Sequence, residues 1–254
     1  MIYKLAKNDF KTKYAGSYLG IIWAFIQPVI TVLVYWFVFE VGFRGGSDSL
    51  PVPFVLYLVA GIIPWFFFQD GLTGGTNSLL EYSYLVKKVV FNISVLPVVK
   101  ILSAVFVHLF FIVFITFLYC CYGHFPDLYY LQLLYYLAGL LLLILGLSYL
   151  TSAVVVFFRD LSQMISIALQ IGIWLTPIMW VAEDKLIHYP LLYKILKLNP
   201  VYYIVMGYRD AFIYKHWFWE HPLWTAYFWC FVIGVLWLGT RVFKKLRVHF
   251  ADVI

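Results

Sequence analysis

The sequence predicts an all-α integral membrane protein. It has six transmembrane helices, an N-terminal amphipathic interface helix, a cytoplasmic amphipathic helix and re-entrant helices on the outer side. Three observations lead there. Hydrophobic residues make up 64% of the 254 positions and charged residues only 12%, where a soluble domain carries about a quarter charged. Mean hydropathy is +0.90, more apolar character than one water-soluble core of this size can bury. The apolar residues also fall in runs of the roughly 20 residues that a helical crossing needs.

The six runs are 20–43, 52–72, 96–121, 131–158, 161–182 and 222–243. They are too long and too rich in Leu, Phe and Val to be barrel strands. Cytoplasmic segments of membrane proteins are enriched in Lys and Arg. With both termini inside, twelve of the 18 Lys and Arg residues fall on the inner side and six on the outer. The net charge of +6 therefore reads as membrane orientation, and no stripe suited to nucleic acid is present. The first run is too long for a signal-peptide core and lacks a small-x-small cleavage site. Cys120, Cys121 and Cys230 sit in or at the ends of runs without metal-ligand spacing.

Three segments are not spans. In residues 1–19, Ile2, Leu5, Ala6, Phe10, Tyr14 and Tyr18 recur at helical spacing, with Lys4, Lys7 and Lys11 on another face. This predicts a helix lying in the inner interface; a plain basic anchor for the first span is the competing reading. Gly16 and Gly20 permit its turn into the bilayer. In residues 76–92, Ser78 followed by Glu81 reads as a capping box, with Leu79, Tyr82, Val86 and Val89 on one face. That is a cytoplasmic helix, either a docking element or an idle surface. In residues 183–221, the apolar stretch 201–206 is too short to cross and is closed by Arg209 and Asp210. Two short re-entrant helices joined at Asn199-Pro200 fit, and so does a folded outer loop. The Arg209-Asp210 pair is expected at the shallow end, near the outer interface.

The sequence has no Gly-Lys dipeptide, hence no P-loop, and no HExxH or GxSxG pattern. Ionisable residues within the runs are few: Glu40, Asp70 and Lys100 near the ends, and His108 deeper. His108 reads as a packing residue. A chain moving something across the membrane would need work supplied by a partner. Aromatic side chains are abundant, with 24 Phe, 21 Tyr and 10 Trp. Interfacial belts account for Trp36, Trp65, Trp180 and Trp224. Tyr35, Tyr57, Tyr135, Tyr136 and Tyr149 lie within runs, where they serve either packing or an aromatic lining for a sugar polymer.

Six short motifs occur in order along nearly the whole chain. They are Lys7-Asn8-Asp9-Phe10-Lys11 leading to Gly20 and Trp23, Gln27-Pro28, Gly61 with Pro64-Trp65, Lys87-Lys88 with Phe91, Phe158-Arg159-Asp160-Leu161, and Thr176-Pro177-Ile178 with Asn199-Pro200. In this order the chain resembles the membrane permease of bacterial ABC exporters for lipid-linked polysaccharides, a family that includes O-antigen, capsule and wall teichoic acid exporters. Asn92 departs from the proline of many relatives.

The resemblance implies a multi-pass homodimer in the bacterial cytoplasmic membrane, joined to two copies of a separate ATPase that binds ATP and Mg. This chain itself holds no cofactor and no metal, and it is not an enzyme. Glu81, Tyr82, Lys87, Lys88, Arg159 and Asp160 would face the ATPase. Trp23, Tyr35, Trp36, Tyr57, Phe66 and Trp174 would line the channel for a polyprenyl-linked polymer. Asn199, Pro200, Tyr202, Tyr203, Arg209 and Asp210 would form the outer gate. The stretch Gly207-Tyr208-Arg209-Asp210 through Trp217-Phe218-Trp219-Glu220 looks more like teichoic acid exporters, with O-antigen export as the alternative. A drug-exporting relative, and a membrane enzyme acting on polyprenyl-linked sugars through Glu183, Asp184 and His188, are the further readings.

Overall fold

A computed structural model describes residues 2–13, 16, 18–42, 50–86, 92–182 and 189–253. Nine helices of eight or more residues occur in it: α1 Ile2–Lys13, α2 Trp23–Trp36, α3 Phe54–Glu81, α4 Val95–Cys121, α5 Gln132–Val155, α6 Asp160–Leu175, α7 Pro190–Lys197, α8 Pro200–Arg209 and α9 Pro222–Leu246. Short helical turns extend α2 to Gly42, precede α5 from Leu128, continue α8 to Tyr214 and carry α9 to His249. Among the described residues, five helical stretches are long and apolar enough to cross a membrane: Gly20–Gly42, Phe54–Glu81, Val95–Cys121, Leu128–Val155 and Pro222–His249. The protein is an all-α, multi-pass membrane protein.

Two elements depart from the sequence expectation. The second span is a helix of 28 residues, about 42 Å long, where a run ending near residue 72 and a separate helix from 76 were expected. Gln69, Asp70, Thr73 and Asn77 look like an exit from the membrane but stay helical. Thr76 shares a hydrogen bond of 2.7 Å with Thr151 of α5. Ser78 does not cap a new helix: its hydroxyl donates to the Gly75 carbonyl at 2.7 Å. The helix breaks at Tyr82, and only the turn Ser83–Val86 follows before the described chain pauses.

The second departure lies in the run 161–182. Here α6 has 16 residues, about 24 Å, short of the roughly 30 Å hydrocarbon thickness. It stops because Thr176 precedes Pro177, and the residue before a proline is driven out of the helical region; Thr176 has φ −80° and ψ 123°. The chain then continues without helix along α3. Gly172 abuts Trp65, and the Tyr57 hydroxyl reaches the Trp180 carbonyl at 3.4 Å. Residues 172–180 thus run antiparallel to residues 57–65.

The helices order into two ends. At one end, Leu79, Leu96, Ala153, Val156, Phe243 and Phe250 form a cluster, so the ends of α3, α5 and α9 and the start of α4 meet there. At the other end, Lys215 pairs with Asp127 at 2.8 Å and Gln132 donates to the His216 carbonyl at 2.8 Å. The first end also holds α1, which packs along α4 with Tyr3 and Phe10 against Phe106. Positive φ at Gly16 and Gly20, +93° and +54°, turns the chain from α1 into α2. Lys4, Lys7 and Lys11 are exposed. The apolar face of α1 therefore meets protein, where acyl chains were expected.

Placing Asp127 and Lys245 at opposite ends sets a topological expectation. In a background without native cysteines, an impermeant maleimide should label Asp127→Cys on intact cells and Lys245→Cys only after permeabilisation. Labelling of both from outside would contradict the arrangement.

Candidate functional site

Three groups of residues are candidates: an ion cluster at the end that holds α1, called inner after the expected orientation, a cavity between the helices, and an anchored break toward the opposite end, called outer on the same ground.

The inner cluster grows from Asp9, the one acidic residue of α1, with only 4% of its surface exposed. Its carboxylate accepts from the Tyr82 hydroxyl at 2.6 Å and pairs with the Lys100 ammonium at 2.6 Å. Lys100 also pairs with Glu81 at 2.5 Å. Burial, followed by the hydrogen bond to Asp9, raises the Tyr82 phenol above its ordinary range, so it remains a donor at neutral pH. A second link, Lys13 to Asp70, ties the end of α1 to α3. Glu81 and Tyr82, expected to face an ATPase, are thus engaged inside the protein, although Glu81 stays half exposed. Arg159 and Asp160 are exposed at the start of α6. Lys87 and Lys88 lie outside the described residues.

The cavity, about 690 Å³, lies between α2, α3, α4 and α6. Of the aromatic candidates, Trp23, Tyr35, Phe66 and Trp174 line it. Tyr57 does not: it is 1% exposed and lies under the Arg209 guanidinium, 3.6 Å from the ring centre. Trp36 does not line it either and packs against the core. Of the polar lining, Gln27 stands in the Gln27-Pro28 motif, while Gln69 and Gln170 were not singled out from the sequence. His108 also borders the cavity. It is buried and stacked on Phe67, with Nε2 2.9 Å from the Tyr208 hydroxyl, while Nδ1 has no partner among the described residues.

The outer group is built on the break after α6. Arg209 has no exposed surface. It donates from Nη1 to the Pro177 carbonyl and from Nη2 to the Ile178 carbonyl, both at 2.8 Å. The charge is thus enclosed in protein and not left at a surface. The guanidinium is buried because it meets two carbonyls that the broken helix leaves over, and because it stacks on Tyr57. Gly61 makes this possible: a Cβ there would lie 2.8 Å from Nη2. Asn199 joins the same unit. Its Nδ2 donates to the Thr176 hydroxyl at 2.9 Å, and its Oδ1 caps α8 by accepting from the Val201 N–H at 3.0 Å. Pro200 opens α8, and Tyr202 and Tyr203 are buried. Asp210 turns away from its neighbour, toward His216 at 3.8 Å. By contrast, α7 leaves Leu191, Leu192 and Ile195 exposed. Glu183, Asp184 and His188 lie outside the described residues. Among those described, no group of three or more His, Cys, Asp or Glu suited to a metal occurs.

Comparison with known proteins places these features in a family. Residues 2–213 match the ABC-2 type transporter model. The chain is similar to two O-antigen export system permease proteins RfbA of Klebsiella pneumoniae. One is 25% identical over 253 residues and the other 26% over 254, each match covering 98% of this chain and 93% of the relative. An RfbA of Myxococcus xanthus is 26% identical over 258 residues, covering 100% of this chain and 95% of the relative.

The inner cluster sets its own expectation. Lys100→Met leaves the buried Asp9 carboxylate without its cation, so it should destabilise the protein by about 3–5 kcal/mol, and adding Asp9→Asn should recover part of that loss. Thermal unfolding of the purified chain in detergent measures both. A double variant less stable than Lys100→Met would contradict the pairing.

Proposed function

Because the chain belongs to the ABC-2 type transporter family, and is a transport subunit rather than an enzyme, we propose that it is the permease half of an exporter that moves polyprenyl-linked surface polysaccharide of the O-antigen type. Family membership implies an ATPase partner and a lipid surround. The observation that carries the substrate reading is similarity over essentially the full length to O-antigen permeases from two genera. It favours the O-antigen alternative over the teichoic acid reading drawn from residues 207–220.

In this reading two copies of the chain join two ATPase copies. Six crossings place both termini inside, with α6 and its irregular continuation to Ala182 forming the fifth. The apolar faces that α2 and α6 leave open, at Ile30, Leu33, Ile171 and Leu175, suit contact with the second copy. ATP binding closes the partner against the inner end, where Arg159 and Asp160 are exposed; Lys87 and Lys88, outside the described residues, would join that contact. The cluster of Asp9, Lys100, Glu81 and Tyr82 makes α1 move with the ends of α3 and α4. The polymer passes the cavity lined by Trp23, Tyr35, Phe66 and Trp174. The outer cap of α7 and α8, hinged at Asn199-Pro200, closes the path above it.

The test is export itself. Proteoliposomes holding this chain and its ATPase should move a polyprenyl-linked glycan across the bilayer only with hydrolysable ATP. In cells, loss of the chain should leave lipid-linked glycan at the inner face and remove it from the surface. Unchanged surface glycan in such cells would refute the proposal.

A further inference from the structure

The polar lining of the cavity carries a statement about substrate charge. Among the described residues, the charged side chains that border it are Lys13 and Asp70, which are paired with each other. The other polar groups are neutral amides and hydroxyls, from Gln27, Gln69, Gln170 and Thr31 on three different helices. We propose that this cavity binds uncharged sugar units, so that the chain exports a neutral glycan in preference to a polymer bearing phosphate or carboxylate on each repeat. The inference rests on the reading of the cavity as the polymer's path.

The chemistry is that of a pyranose ring, which has an apolar C–H face and a rim of hydroxyls, each both donor and acceptor. A carboxamide offers both roles at once, and so does a threonine hydroxyl. Trp23 and Trp174, about half exposed, provide apolar faces for the ring. Pro28 has no N–H to offer the Ala24 carbonyl, and both residues border the cavity. His108 adds a fixed point. It is 2% exposed, its Nε2 is engaged by Tyr208, and its Nδ1 has no partner among the described residues. That nitrogen is itself enclosed, so the imidazole belongs to the wall of the cavity and not to its binding surface.

An anion meets the opposite situation. A phosphodiester leaving water needs a cation in return, because neutral amide donors give back only part of the solvation that a full charge loses. Lys13 is already held by Asp70, and drawing it away would leave that carboxylate exposed to the incoming negative charge. At about 690 Å³ the cavity falls within the usual range of roughly 300–1,000 Å³ for small-molecule sites. It has room for sugar rings but, among the described residues, no unpaired cation to neutralise a charge on each repeat.

The experiment compares two polyprenyl-linked glycans of equal length, one neutral and one phosphorylated on every repeat. Both are offered to proteoliposomes of the full chain with its ATPase. The neutral polymer should be exported at least about tenfold faster, the effect of one poorly compensated charge. Gln170→Lys, or Gln27→Lys if the first variant does not assemble, places a cation in the cavity and should narrow that ratio severalfold. Equal rates, or faster export of the phosphorylated polymer, by the wild type would overturn charge selection while leaving the export reading intact. If neither polymer moves with ATP, both the export reading and this inference fall.

Discussion

A carbonyl without a hydrogen-bond partner is not tolerated at membrane depth unless protein or water supplies one, and the outer half of this molecule is organised around meeting that demand. Pro177 ends α6 part-way along its run, and the carbonyls of Pro177 and Ile178 have no helical continuation to bond them. Arg209 supplies both bonds from one guanidinium. Hydrogen bonds to a charged group contribute about 1.5–3 kcal/mol each, and the planar fork of arginine serves two acceptors at once. Once Arg209 is fixed there, much else follows. Residue 61 must lack a side chain, Tyr57 becomes the floor under the guanidinium, and α8 is drawn down among α3, α5 and α9. Asn199, tied to Thr176, sets where α8 begins.

The inner end uses another arrangement with a similar effect. There a buried carboxylate on α1, a lysine on α4 and the last turn of α3 are held by charge-assisted hydrogen bonds. Such a cluster adds little net stability over an apolar packing of the same volume, but it specifies one geometry. Here it fixes α1 to the ends of α3 and α4. Between the two fixed ends, α2 and α6 are the helices least covered by the rest of the chain, and the cavity opens between them. A protein held at both ends and less constrained along one side suits a path that must open and close.

Much of the helical layout was legible in the sequence, because lipid imposes length and apolarity on each crossing. The stretches Gly20–Gly42 and Val95–Cys121 lie within a residue of the runs at 20–43 and 96–121. Legibility failed where polar residues stay inside a helix and where an apolar run stops being one. The chain after residue 72 resembled an exit because hydropathy does not distinguish a polar residue facing water from one that lines a cavity, as Thr73 does. The run 161–182 looked continuous because its residues are apolar, yet one proline ends the helix. Thr176-Pro177-Ile178 and Asn199-Pro200 were visible as motifs, but their joining by Asn199 and Arg209 was not. Those contacts span 23 to 32 residues and arise from tertiary packing. Asp9 left a faint signal, as a lone carboxylate in a basic amphipathic helix, without indicating its partner.

The anchoring of the break by Arg209 is the claim on which the rest depends, and a double-mutant cycle with Gly61 tests it most directly. The atom nearest a methyl at position 61 would be the guanidinium Nη2, at 2.8 Å, with Val205 at 3.4 Å in ordinary contact. Gly61→Ala and Arg209→Met should each lower the thermal midpoint of the purified protein. If the alanine acts by unseating Arg209, the double variant should unfold at the midpoint of Arg209→Met alone, the strong non-additivity of two residues sharing one interaction. Losses that simply add would contradict the account, because Gly61 and Arg209 would then stabilise the protein independently.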